Sequence, residues 1–207
     1  TLKLARVQNF LATLGNPQKF LRVIHVAGTK GKGSTCAFTA NILREAGFCV
    51  GLYTSPHLND FRERIRILRP AVPKQRRPAN DFEGMISRKA LSCLVEELKP
   101  AINKYSRYSK YGPLSFFEVY TALAFLYFKR KSVDFVVLET GMGGRLDATN
   151  VSNSLVCGIT PISLEHVQKL GSTLAKIAGE KAGIVKNAGS VVICAPQDQG
   201  ARKVIYQ

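Results

Sequence analysis

One stretch constrains this chain more than any other. Residues 28–35, GTKGKGST, follow the apolar run VIHVA (23–27) and precede an amphipathic run over 38–46. Apolar run, glycine turn and amphipathic segment spell strand, loop and helix, with backbone N–H groups and a helix N-terminus aimed at one point. A phosphate chain is what such a turn stabilises. The glycines allow close approach, Lys32 brings a point charge, and Ser34 or Thr35 can face a metal ion. A nucleoside triphosphate is the ligand this chemistry implies. The standard pattern G-x-x-x-x-G-K-[ST] is not met, because Val26 stands five places before Gly31 and Gly33 separates Lys32 from Ser34. A glycine-rich turn with an incidental lysine is the plain structural alternative.

At 207 residues the chain is long enough to bury the core of one α/β domain. No apolar run approaches the roughly 20 residues needed to cross a bilayer, and no signal peptide is recognisable. A soluble, cytoplasmic protein without a membrane partner is expected. The five cysteines, at 36, 49, 93, 157 and 194, are scattered and form no C-x-x-C pair, which argues against a disulfide frame or a zinc site. The formal charge of +16 admits three readings: a solvated basic surface, an anionic small substrate, or nucleic acid. The basic residues cluster over 62–77 and 99–110 without a repeated aromatic–basic module, so nucleic acid is the least favoured.

Hydrophobic periodicity predicts an amphipathic helix over residues 1–20, closed by Gly15-Asn16-Pro17. Strands are expected at 22–27, 48–53, 133–138, 155–160 and 190–195. Helices are expected at 33–46, 81–105 (broken near Pro100), 115–131 and 172–186. Ser115 and Glu118 have capping-box spacing ahead of the apolar pattern Phe116, Val119, Leu123, Leu126. Residues 56–80 read as an irregular, arginine-rich connection with a flexible insert around 68–80, since Pro70, Pro73 and Pro78 remove donors. Alternating β and α elements imply an α/β fold with a mostly parallel sheet flanked by helices.

Ligands in open α/β sheets bind beyond the carboxyl ends of the strands. Four predicted strand ends carry polar groups: the glycine loop, Ser55, Glu139 and then the pair Glu165-His166. A carboxylate ending an apolar strand is costly to bury alone, and a magnesium ion would resolve this together with hydroxyl and phosphate oxygens. An ion pair of Glu139 with Arg145 or Lys181 is the alternative. His166 reads first as a surface or hydrogen-bonding histidine, imidazole being a poor magnesium ligand, and Lys181 reads as a plain surface lysine. GMGGRL (141–146) does not meet G-x-G-x-x-G, so a dinucleotide fingerprint is absent.

The segments HVAGTKGKGST (25–35), YTSPHL (53–58), LSFFE (114–118), LETGMGGRLDATNV (138–151), ITPISLEHVQKLG (159–171) and IAGEKAGIVK (177–186) resemble, in order and spacing, the folate branch of the Mur ligase-like ATP-dependent amide ligases. That branch comprises dihydrofolate synthase and folylpolyglutamate synthase. The resemblance implies a P-loop NTPase-like domain of the Mur ligase central type. In it Thr29, Lys30, Gly31, Lys32, Gly33, Ser34 and Thr35 would surround the phosphates of ATP, with Lys32 catalytic. It further implies Mg2+ ligands at Ser55, Glu139 and His166, and a carbamylated, catalytic Lys181 helping to hold a second metal. Leu114, Ser115, Phe116, Phe117 and Asp147 match positions that hold the pterin end of the substrate. L-glutamate and dihydropteroate or a folate are the implied substrates, with LSFFE pointing to the type that accepts dihydropteroate, and a monomer is expected. Many relatives carry Asp where this chain has Glu165. Relatives also run to roughly twice this length, so the 207 residues are expected to form an ATP-binding domain truncated at its C-terminal side, without the glutamate-binding domain and possibly inactive alone. A small-molecule kinase and a non-catalytic nucleotide-binding module are the competing readings.

Overall fold

The apolar run ahead of the glycine loop becomes the centre of the sheet. In the computed structural model, which describes residues 4–70, 82–186 and 189–206, strand β1 (Val23–Ala27) pairs in parallel with β4 (Phe135–Glu139) on one side and β5 (Ser154–Ile159) on the other. Beyond β4 lies β2 (Val50–Tyr53) and beyond β5 lies β6 (Val191–Cys194), both also parallel. The full order is β3-β2-β4-β1-β5-β6, with β3 (Ile65–Leu68) antiparallel to β2 at one edge. Parallel pairing points the carboxyl ends of five strands to one rim.

Helix α2 (Lys32–Glu45) covers one face. Its Cys36 and Ala40 pack on Val26, Val50, Leu52 and Val137. The opposite face carries α1 (Leu4–Thr13), α3 (Arg88–Tyr108) and α4 (Phe116–Arg130), where Phe10, Leu94, Leu123 and Phe125 meet Val23, Tyr53, Val136 and Leu138. The alternation of Val136, Val137 and Leu138 between these two cores is the period-2 geometry of a strand buried on both faces. A third cluster joins Ile159 of β5 to the short α5 (Val167–Leu170), α6 (Leu174–Ala182) and α7 (Gln199–Ile205).

Helix α4 starts at Phe116 as the spacing predicts: Ser115 Oγ accepts from the Glu118 amide, and Glu118 Oε2 accepts from the Ser115 amide. Two expectations are corrected. Ile65-Arg66-Ile67-Leu68 is a paired edge strand rather than irregular connection, its alternation masked in the sequence by arginines that an edge strand tolerates. Pro100 does not break α3, which runs unbroken over 21 residues. The apolar stripe Leu91, Leu94, Leu98 and Tyr105 stays in the core on both sides of the proline, and that burial outweighs a proline penalty of about 3 kcal/mol. Helix α7 was not anticipated, and the insert expected over 68–80 falls largely on residues 71–81, outside the described residues.

Close packing of α4 on the sheet depends on a missing side chain. A Cβ at Gly51 would lie 2.8 Å from the Phe128 ring. Gly51→Ala should therefore lower unfolding free energy by about 1–3 kcal/mol in urea titration, and Phe128→Leu in the same chain should recover part of that loss.

Candidate functional site

The glycine loop is braced by β5 on one side and open on the other. Gly28 lies so close to the end of β5 that a Cβ there would fall 1.8 Å from Thr160 Oγ1. The Thr29 and Lys30 amides donate to Pro161 O at 3.1 and 3.4 Å, and Thr29 Oγ1 donates to Ser163 O. These two residues therefore anchor the loop with the very amides expected to face phosphate. Gly31 takes a left-handed φ of 81° as the N-cap of α2, and the first intrahelical bond runs from the Thr35 amide to Gly31 O. The four amides before it, at 31–34, are the donors a helix leaves for an anion. Lys32 folds back on the loop, its Nζ donating to Thr29 O at 3.2 Å, and Ser34 is exposed.

Opposite this amide cluster stands Glu139, the last residue of β4, on the same sheet face as Val137. A Cβ on Gly33 would lie 3.6 Å from its carboxylate. Only 5% of Glu139 is exposed, and Oε2 accepts the Ser55 amide at 3.0 Å. Burial raises the carboxyl above its ordinary 4.5, opposed by the Ser55 amide and the Lys32 charge. Neither candidate ion pair forms: Arg145 binds Glu180, and Lys181 binds Glu165. A buried carboxylate without a cationic side-chain partner, beside a serine, suits a hard divalent cation. Among the described residues no three His, Cys, Asp or Glu gather at metal-ligand spacing. Glu139 and Ser55 would therefore leave most coordination positions to phosphate and water. His166 is exposed, in left-handed conformation (φ 45°), heading α5; Lys169, beside it on that surface, also lines the large cavity described below.

Lys181 is not a surface lysine. It is 1% exposed, and its Nζ donates to Gly28 O and to Glu165 Oε1, both at 2.5 Å. Burial pulls its pKa below 10.5 against the pull of Glu165. Burial would raise Glu165, but the bond and charge of Lys181 outweigh it and hold the carboxyl below 4.5. The pair straps α6 and the segment after β5 to the glycine loop. A carbamylated Lys181 would set a second anion against Glu165, so that modification calls for a cation between them or a moved Glu165.

Beside the rim opens a cavity of about 770 Å³, lined by Val7, Pro56, Phe117, Met142, Leu146 and Ala148 together with Arg6, Ser55, Arg64, Ser115, Glu118, Asp147 and Lys169. Such a volume and mixture fit a flat organic acid. Phe117 faces it, whereas the 61%-exposed Phe116 stacks on Tyr120 outside it, and Leu114 packs against the core. Asp147 lines the cavity at 3% exposure, with Oδ2 accepting the Gly141 and Met142 amides and Oδ1 accepting the Thr149 amide and hydroxyl. Arg6 reaches from α1 to place Nε 2.9 Å from both oxygens of Glu118. Sequence reasoning missed Arg6, Arg64, Met142 and Lys169. Arg6 and Glu118 lie 112 residues apart, and no local pattern announces that pairing.

No family model matches the chain. It is 41% identical over 205 residues to the dihydrofolate synthase/folylpolyglutamate synthase of Bacillus subtilis, covering 99% of this chain and 44% of that relative. A Mycobacterium tuberculosis folylpolyglutamate synthase (FPGS), in structures with ADP and AMPPCP, superposes with a TM-score of 0.86 at 37% identity over 99% of this chain and 44% of its own. An FPGS complex with AMPPCP and folate gives 0.88 at 36% identity, over 100% and 47%. The chain thus spans less than half the length of the relatives it matches.

A carboxyl with its folded pKa raised holds its proton more tightly folded than unfolded, so stability falls as pH rises from 4.5 through the folded value. Without divalent cations, Glu139→Gln should raise the melting temperature at pH 7 by about 2–4 °C, the shift expected for ~1 kcal/mol, and the gain should vanish below pH 4.5. Millimolar Mg2+ should stabilise the parent protein and not the variant. Thermal unfolding across pH checks both.

Proposed function

The chain belongs to the folylpolyglutamate synthase/dihydrofolate synthase family, and on that premise we propose that it supplies the ATP-binding, carboxylate-activating part of a ligase joining L-glutamate to dihydropteroate or a folate. The observation that carries this reading is the position of Ser55. Its backbone amide binds Glu139 at the phosphate rim, and the same residue lines the 770 Å³ cavity. A carboxylate at the mouth of that cavity would therefore meet the terminal phosphate of a nucleotide held by the amides of residues 31–34.

A carboxylate is a poor acylating agent. In the proposed first step one of its oxygens attacks the γ-phosphorus, the bond from that phosphorus to the ADP oxygen breaks, and an acyl phosphate forms. The glutamate amine then attacks the acyl carbon; phosphate leaves, the amine sheds a proton, and an amide remains. Lys32 and the open amides of α2 offset charge gathering on the transferred phosphoryl group. Ser55 and Glu139 would hold Mg2+, which neutralises phosphate charge when bound. His166, on the neighbouring surface, is a further candidate ligand. Lys181 and Glu165 keep the loop seated, and Phe117, Met142 and Asp147 shape the cavity for the ring-bearing acid. Three of the arginines are held by neighbours within the fold: Arg62 pairs with Asp60, Arg44 with Glu83, and Arg64 Nε donates to His57.

The test measures ADP release by the full-length protein with dihydropteroate and glutamate each omitted in turn, followed by mass analysis of the product. Release requiring both, with one glutamate added, is expected, and Lys32→Ala should lower kcat by at least about 10²-fold. ADP release that ignores glutamate would identify a kinase instead, and binding of ATP without turnover a nucleotide-binding module.

A further inference from the structure

His25 lies in the middle of the central strand with no exposed surface, where a polar ring is costly to bury unless bonded. Its Nε2 is 2.8 Å from Thr149 Oγ1. The Thr149 hydroxyl has one proton and gives it to Asp147 Oδ1 at 2.6 Å, so it must accept from His25. The imidazole is thereby fixed as the Nε2–H tautomer, leaving Nδ1 buried with no partner among the described residues. Burial, aided by the charge of Lys186, pushes its pKa down to about 3, so the ring stays neutral at physiological pH.

Beyond Asp147 the chain of contacts continues to the cavity. Asp147 Oδ2 takes the Gly141 and Met142 amides at 3.0 and 2.9 Å. Gly141 backs onto Phe117 so closely that a Cβ would lie 2.6 Å from Cζ. Phe117, Met142 and Asp147 all line the cavity, whereas Val26, the next residue along β1, faces α2 and the nucleotide side. The strand's alternation puts the imidazole on the face away from the phosphates.

We propose that His25 is a positioning residue for the cavity of the acyl donor, acting through Thr149 to keep the Asp147 carboxylate on the Gly141 and Met142 amides and so to set the wall that receives the ring-bearing acid. The proposal rests on reading that cavity as the site of this acid. It separates binding of the acid from nucleotide binding, although His25 stands only three residues before Gly28.

The test is steady-state kinetics of the full-length ligase. His25→Leu should raise KM for dihydropteroate about tenfold, the effect of losing one buried hydrogen bond, with KM for ATP within twofold. His25→Gln, whose Nε2 amide donates over a similar reach, should restore the dihydropteroate KM to within about threefold. A folded His25→Leu with unchanged dihydropteroate KM, equal rises in both KM values, or no recovery by His25→Gln would overturn the proposal. Should the leucine variant not fold, Thr149→Val, matched in shape, should raise the dihydropteroate KM alone while Thr149→Ser keeps it; equal behaviour of the two overturns it. Imidazole 15N spectra, with His25 assigned from His25→Gln, should show Nε2–H, and Nδ1–H would refute the relay. Because the spectra do not depend on turnover, a parent protein unable to ligate glutamate would sink the functional reading while leaving the relay separately tested.

Discussion

The pairing of β1 with β4, Val26 opposite Glu139, is the constraint on which the site depends. It brings an acidic side chain to the rim one residue before a strand gives way to the glycine loop, and it does so on the face covered by α2. Once that register is set, strand alternation leaves Glu139 no choice of side. Its neighbours in the sheet then determine the rest: β2 delivers Ser55 from the left, and β5 delivers Pro161 and Ser163 to brace Thr29 from the right.

Two kinds of polar burial divide the labour. Lys181 with Glu165, Arg6 with Glu118 and Asp147 with its four donors are satisfied internally and give rigidity to the loop, the cavity wall and the 141–142 turn. Glu139 and the 31–34 amides instead face the rim, one anionic and the other a donor cluster. A cation for the first and an anion for the second, side by side, are what a metal-bound triphosphate offers.

Much of this was legible in the chain because it is local. A glycine turn between a strand and a helix, a capping box and a carboxylate closing an apolar run span few residues, and the backbone rules they obey need no distant partner. What was not legible depends on contacts across the sequence. Lys181 looks like an ordinary helical lysine until α6 docks beneath the loop and Gly28 and Glu165 close around it. The strand at 65–68 hid among arginines and prolines because its pairing, not its composition, makes it a strand. Thr29 and Lys30 belong to a phosphate motif in the sequence, yet their amides face Pro161.

In the proposed complex one bound triphosphate and its cation unite the 31–34 amides, Ser55 and Glu139. A crystal structure of the full-length protein with Mg2+ and a non-hydrolysable ATP analogue is the decisive measurement. The β- and γ-phosphate oxygens should lie within hydrogen-bond distance of those amides, with the metal on Glu139 and Ser55. Phosphates seated elsewhere, or a metal without Glu139 in its coordination sphere, would contradict it.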